Sequence, residues 1–182
     1  MRINTLKKYA LCCFAIVCLL SCNKRADYYN TLLQVESQIE ENPQEALTTL
    51  QHIDTDNLSG RRTRAKYSLL YSIALDKNYI DTTDIEILQP AIAYYGKKGT
   101  PTDKLKTLYY QGKIYHNRGD EAQAMEYYLN ALEKGEKSND ILTKARIYVA
   151  QGTIYNQLFE FEKIIDANLR AAELFKAAGN NE

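Results

Sequence analysis

The chain has 182 residues, of which 45% are hydrophobic, and this is enough for one domain with a substantial core. The 23 basic and 23 acidic residues give a formal net charge of zero, which excludes the general attraction to nucleic acid that basic proteins show. With only three prolines and eight glycines, the composition is also atypical of a low-complexity chain.

The first 21 residues are typical of a signal peptide. Three positive charges lie in the first eight residues, and a run of 12 apolar residues follows, which is too short to span a bilayer. The run ends in Leu19-Leu20-Ser21-Cys22, which resembles the bacterial lipobox. The resemblance implies that Cys22 is acylated and becomes the first residue of the mature protein, so that lipid chains anchor it to a membrane. An ordinary secretory signal with an incidental cysteine is the alternative.

The residue after this cysteine indicates a location. Asn23 stands where an aspartate favours retention in the inner membrane of Gram-negative bacteria. The resemblance therefore implies a lipid-anchored protein of the cell envelope, on the outer membrane and facing the periplasm. The other three cysteines lie in the apolar run, so the mature chain has no cysteine pair for a disulfide or a thiolate metal site.

Residues 22–60 are predicted to contain the acylated N-terminus and a capping pair of helices. The first helix is expected over 27–41, and Asn42 followed by Pro43 is expected to start the second. The polar segment 54–60 fails the pattern of a calcium-binding loop and indicates a solvated turn.

A repeat with a period of 40 residues covers 61–182, where we expect three further helix pairs. Ser72, Gly112 and Gly152 align at this period. A triplet of two basic residues around an apolar one also opens each unit.

Local signals within these pairs predict where helices begin. The first helices are expected over 61–77 and 141–157, the latter capped by Ser138. Thr83 and Glu86 are expected to cap the second helix of the first of these pairs, and Pro90 is expected to kink or split that helix.

The central unit, 104–135, resembles the tetratricopeptide repeat. The positions that carry the resemblance are Leu108, Gly112, Tyr115, Ala124, Tyr128 and Ala131. The unit departs from the usual pattern at Gln111, where leucine is usual, and at Glu136, where proline is usual. The resemblance implies an all-α fold, a right-handed α-solenoid of antiparallel helix pairs, because each pair must stack on its neighbours to bury its apolar face.

Tetratricopeptide arrays bind partners in a concave groove lined by the first helix of each unit. The residues that the resemblance places in this groove are Lys66, Leu69, Ile73 and Asp76, then Lys106, Tyr109, Lys113 and His116, then Arg146, Val149, Thr153 and Asn156. Lys66, Lys106 and Arg146 would form a line of positive charge, which favours an acidic partner. The alternative is that each base pairs with an acid on a neighbouring helix.

The sequence shows no catalytic or metal-binding pattern. His52 and His116 have no second histidine or carboxylate at metal-ligand spacing, and there is no phosphate loop, dinucleotide fingerprint or nucleophile elbow. We therefore expect neither an enzyme nor a cofactor. Tyr109 falls on the ligand-facing side of its predicted helix, where it could stack on a sugar ring.

The last helix is predicted over 159–178, with Leu174 and Phe175 on a face that no later helix of the sequence covers. We expect this face to mediate self-association into a homo-oligomer, or the natural chain to be longer.

Together these patterns predict a periplasmic scaffold, anchored by lipid, that holds a peptide or protein in the concave groove. One alternative is the sensory part of an envelope regulator, although similar regulators have a later membrane span that this sequence lacks. Another alternative is a glycan-binding outer-membrane lipoprotein.

Overall fold

The computed structural model describes residues 28–179. This part of the chain consists of eight α-helices joined by turns, without a strand, which confirms the all-α prediction. The helices are α1 (28–38), α2 (Pro43–Gln51), α3 (Arg61–Lys77), α4 (Gln89–Lys98), α5 (Pro101–Asn117), α6 (Glu121–Lys134), α7 (Ile141–Gln157) and α8 (Phe161–Ala177).

The 40-residue period of the sequence reappears in the helix boundaries. The helices α3, α5 and α7 have 17 residues each and begin at residues 61, 101 and 141. The helices α6 and α8 begin at residues 121 and 161. The N-terminal pair lies close to the same register, since α1 ends at residue 38, one residue past the position that the period gives.

Helix α4 departs from this register because of Pro90. The predicted capping box of Thr83 and Glu86 does not form; Asp84 instead accepts a hydrogen bond of 3.0 Å from the backbone N–H of Glu86 and caps a single 3-10 turn. Helix α4 begins only at Gln89, which places Pro90 in its first turn, where an N–H has no partner within the helix. Pro90 therefore sets the start of α4 and does not kink it.

Side chains cap the starts of α5, α6 and α7. Thr100 and Asp103 form a reciprocal capping box at the start of α5. Asp140, and not the predicted Ser138, caps α7 by accepting a hydrogen bond from the N–H three residues on. Asn42 precedes α2 as predicted, but its side chain makes no capping hydrogen bond.

Three turns have a residue in the left-handed region at the same place. Tyr79, Gly119 and Phe159 have φ angles of 59°, 77° and 58°, and each lies two residues after α3, α5 or α7 ends. In each turn the following N–H donates to the carbonyl five residues earlier, which is the Schellman arrangement. Only one of the three is glycine, so the other two adopt a conformation that side chains disfavour.

The turn between α2 and α3 is attached to the core. Asp54 caps the 3-10 turn Thr55–Asn57, and Leu58 is fully buried beside it. The carbonyl of Leu58 accepts a hydrogen bond of 2.9 Å from Nε of Arg64. The prediction of a solvated turn therefore holds for its polar residues only.

One hydrophobic core extends from Leu32 in α1 to Ile154 in α7. From α2 to α8 each helix contacts the next, and α5 also contacts α3 and α7. The side chains that α8 buries fully are two alanines, Ala167 and Ala171. No residue of α8 belongs to the main hydrophobic core, although the helix packs against α7.

Candidate functional site

The three bases that were predicted to form a line of positive charge are all paired within the chain. Nζ of Lys66 lies 2.6 Å from Oε2 of Glu36 on α1, and Nζ of Lys106 lies 3.4 Å from Oδ2 of Asp140 at the start of α7. This arrangement is the alternative that the sequence leaves open. An acidic partner would have to displace these carboxylates.

The third base, Arg146, makes the longest-range pair. Its two terminal nitrogens lie 3.2 and 2.8 Å from the carboxylate of Glu40, which is 106 residues earlier in the turn after α1. Glu40 also accepts a hydrogen bond from Lys77 at the end of α3. Burial alone would raise the pKa of Glu40, but the hydrogen bonds from Arg146 and Lys77 outweigh it and hold that pKa below its usual value. The turn after α1 is thereby joined to both α3 and α7.

Three other residues predicted to line the groove are inside the protein. Leu69 and Ile73 belong to the hydrophobic core. The ring of Tyr109 is 5% exposed and stands edge-on to Tyr110, with 4.9 Å between the ring centroids, and burial raises the pKa of Tyr109 well above its usual value. The groove prediction is therefore wrong for these three positions, and Tyr109 is not available to stack on a sugar.

The remaining predicted groove residues divide into two groups. Nζ of Lys113 lies 2.8 Å from Oδ1 of Asp76, and Nδ1 of His116 lies 2.8 Å from Oε2 of Glu121. The exposed members, all on α7, are Val149, Thr153 and Asn156. The open part of the predicted groove is therefore limited to α7.

The exposed apolar face of α8 differs from the predicted one. Leu174 and Phe175 are half-buried against the protein, so they are not the free surface that the sequence predicts. The exposed residues are Phe161, Ile165 and Leu169. They recur every four residues, so they form one stripe, called here the α8 stripe.

Equivalent positions one period apart show that the last helix pair is uncovered. Tyr109 on α5 is 5% exposed, whereas Val149 at the same place on α7 is 44% exposed. Met125 on α6 packs against the core, whereas Ile165 at the same place on α8 is 60% exposed. Among the described residues no helix follows α8, so these side chains meet solvent where their counterparts meet protein.

Carboxylates border the α8 stripe. Glu162 and Glu173 are eleven residues apart, which is about three helical turns, so both lie along the same edge. Asp166 lies between them and is paired with Arg170 at 2.8 Å. The apolar stripe therefore has an acidic flank.

A second surface, which sequence reasoning missed, is basic. A cavity of about 420 Å³ opens between the start of α3 and the end of α4, and it is called here the basic cavity. The residues that line it are Arg61, Arg64, Pro90, Ala93, Tyr94, Lys97 and Lys98. The signal in the sequence is the cluster of arginines that opens α3, together with the lysine pair that ends α4.

Between residues 28 and 179 there is no group of three side chains that could hold a metal ion. None of the helices described there has the length and apolar character needed to cross a membrane. The predicted lipidation site, Cys22, lies outside the described residues.

Comparison with known proteins gives no relative for this chain. No protein-family model matches it, and neither a curated protein nor a solved structure matches it. The function therefore has to be inferred from the geometry of these surfaces.

Proposed function

We propose that this protein is a helical-repeat scaffold of the cell envelope, held by lipid on Cys22, and that it binds an amphipathic helix of a partner protein on the α8 stripe. The stacked pairs would form an array similar to tetratricopeptide repeats. The observation that carries the proposal is the exposure of Phe161, Ile165 and Leu169 along one side of α8, the last of the described helices.

The chemistry of the partner follows from the stripe and its flank. An apolar stripe beside a helix fits the apolar face of another helix, which is a common mode of peptide recognition. Burying one large apolar side chain contributes about 1.5–3 kcal/mol, so three such residues can supply useful affinity. Because Glu162 and Glu173 border the stripe, the partner helix should carry basic residues along the facing edge.

A designed peptide can test this surface directly. The probe is a fluorescent amphipathic helix with a leucine stripe and an arginine flank, compared with a scrambled peptide of the same composition. The protein is the chain from Cys22 onward with Cys22→Ser, which retains every described residue. Leu169→Asp should weaken binding of the helical peptide at least about tenfold, because it places a charge in the apolar contact.

Leu129 provides a matched control. It lies one period before Leu169, and the two side chains are 54% and 60% exposed. Leu129→Asp should leave peptide affinity unchanged, and equal losses in both variants would remove the α8 stripe as the site. A second copy of this chain could also bind the α8 stripe, and multi-angle light scattering tests this alternative. If the protein is a dimer and Leu169→Asp dissociates it, the stripe binds a second copy and not a partner helix.

The anchor is tested separately in cells. Cys22→Ala should release the protein from membranes or leave an unprocessed precursor, because the lipobox-like segment then has no thiol at the position that is acylated. A fatty-acid analogue that labels the variant as strongly as the original protein would contradict the proposed anchor.

A further inference from the structure

We infer that the basic cavity binds a phosphate group, carried either by the headgroup of an anionic lipid or by free inorganic phosphate. This inference goes beyond the proposed function, and its lipid source rests on the proposed anchor at Cys22.

The cavity collects four cations without a counter-charge. Arg61, Lys97 and Lys98 form no ion pair with any residue of 28–179, and Arg64 uses its Nε to bind the carbonyl of Leu58. Some other bases on the first helices are paired with acids, as Lys66 and Lys113 are. All four side chains are exposed, so solvent weakens the repulsion between them, and an anion bound at the opening would offset the repulsion that remains.

Helix stability explains only half of this arrangement. Lys97 and Lys98 lie in the last turn of α4, where positive charge is favourable. Arg61 and Arg64 lie at the start of α3, where positive charge is unfavourable, and the first turn of α3 contains no acid. Arg64 has a structural role through its Nε, but no partner in 28–179 explains Arg61 or the terminal nitrogens of Arg64. A phosphate suits these groups, because a guanidinium can donate paired hydrogen bonds to it.

The walls of the cavity suit a phosphate ester. Pro90, Ala93 and the half-buried Tyr94 supply apolar surface beside the cations, and the volume is within the range of small-ligand sites. A neighbouring cavity of about 350 Å³ shares Arg64 and Pro90 and is lined by Asp56. The anion is therefore expected on the α4 side of Arg64, away from that carboxylate.

The cavity also lies close to the predicted anchor. Arg62 stacks on the ring of Tyr29 at 5.4 Å, which places the start of α1 beside the start of α3. Cys22 precedes the first described residue, Tyr28, by six positions, which an extended chain spans in about 20 Å. Acylation of Cys22 would therefore hold the cavity near the surface of a bilayer, where basic residues are attracted to anionic headgroups.

The test uses the chain from Cys22 onward with Cys22→Ser, so that no acyl chain masks weaker contacts. This chain keeps every core residue that the structure describes. Sedimentation with phosphatidylcholine vesicles, with and without phosphatidylglycerol, measures headgroup binding. Calorimetric titration with inorganic phosphate measures binding of the free ion. Phosphatidylglycerol should increase vesicle binding, and phosphate binding without vesicle binding would assign the site to free phosphate.

Two double variants decide whether the cavity is responsible. Arg61→Glu with Lys97→Glu should weaken binding by about tenfold or more, either to vesicles or to inorganic phosphate, depending on which probe the original protein binds. The reason is that each basic residue near the surface adds to the attraction. Lys137→Glu with Lys176→Glu makes the same change in net charge at exposed residues outside the cavity and should have little effect.

Equal losses in the two double variants, or no binding of either probe, would overturn the inference. The outcome is independent of the α8 stripe, because Leu169→Asp should retain phosphate or vesicle binding. Conversely, Arg61→Glu with Lys97→Glu should retain binding of the amphipathic peptide.

Discussion

Gly112 on α5 packs directly against the ring of Tyr128 on α6. A Cβ at this position would overlap the ring of Tyr128, which is fully buried and has little room to move. Gly152 holds the equivalent position on α7, where the nearest side-chain atom is Oδ1 of the exposed Asn168. The same glycine position is therefore tightly packed in one helix pair and loosely packed in the next.

This difference predicts opposite responses to alanine. Gly112→Ala should lower the free energy of unfolding by about 1–3 kcal/mol, the usual effect of overpacking a core. Gly152→Ala should be neutral or stabilising by up to about 1 kcal/mol, because alanine is the better helix former and Asn168 can move aside. Urea denaturation measures the free energy of unfolding of both variants. Similar losses of stability in the two would contradict the expectation that only Gly112 is tightly packed.

Phe159 combines a disfavoured backbone with an exposed aromatic ring. Its φ is 58° and its side chain is 75% exposed, while Tyr79, two periods earlier, has a φ of 59° and is 96% exposed. Neither ring gains much by burial, so the left-handed backbone is not offset by packing of these side chains.

Glycine at either turn should therefore stabilise the protein. Phe159→Gly is expected to raise the free energy of unfolding by about 0.5–1 kcal/mol, because glycine enters the left-handed region without strain. Phe159→Ala is the control, since it removes the ring but keeps the strain. Thermal or urea unfolding that shows the same gain for alanine as for glycine would attribute the effect to the ring and not to the backbone.

Local signals in the sequence predict the bounds of some helices and not of others. The bounds of α3 and α7 follow from apolar periodicity and the 40-residue register, and both agree with the predicted spans. The start of α4 was missed because two local signals compete. Thr83 and Glu86 have the spacing of a capping box, but Pro90 allows a helix only when it lies in the first turn.

The candidate surfaces were less predictable, because they depend on contacts between distant segments. Tyr109 and Val149 hold equivalent positions in the repeat, yet the first is buried and the second is exposed. The difference depends on which segments pack against each helix, and the repeat pattern does not predict this. Residues that carry opposite charge, such as Glu40 and Arg146, are visible in the sequence, but their pairing over 106 residues is not. Lipidation of Cys22 stays a prediction, since the described residues begin after it.

The pair of Glu40 and Arg146 acts on the molecule as a whole, because it joins the first helix pair to the last. Glu40 is half-exposed and Arg146 is mostly covered, so solvent screens the attraction only in part. Loss of Glu40 would leave Arg146 without its carboxylate and would also free Lys77. The contact should therefore contribute to the cooperativity of unfolding along the array.

Glu40→Gln should lower the free energy of unfolding at neutral pH by about 1 kcal/mol, the upper end for exposed ion pairs, because the arginine contact is bidentate. The pKa of Glu40 in the folded protein is lowered from 4.5, so its contribution is fully present above that value and is lost as the pH falls through the folded pKa. The difference in free energy of unfolding between the original protein and Glu40→Gln should thus be smaller at about pH 3 than at neutral pH.

Glu41→Gln, an exposed neighbour with no ion pair in the described chain, is the matched control. Urea denaturation at both pH values measures the effect, and equal destabilisation by the two variants would mean that the contact with Arg146 does not stabilise the fold.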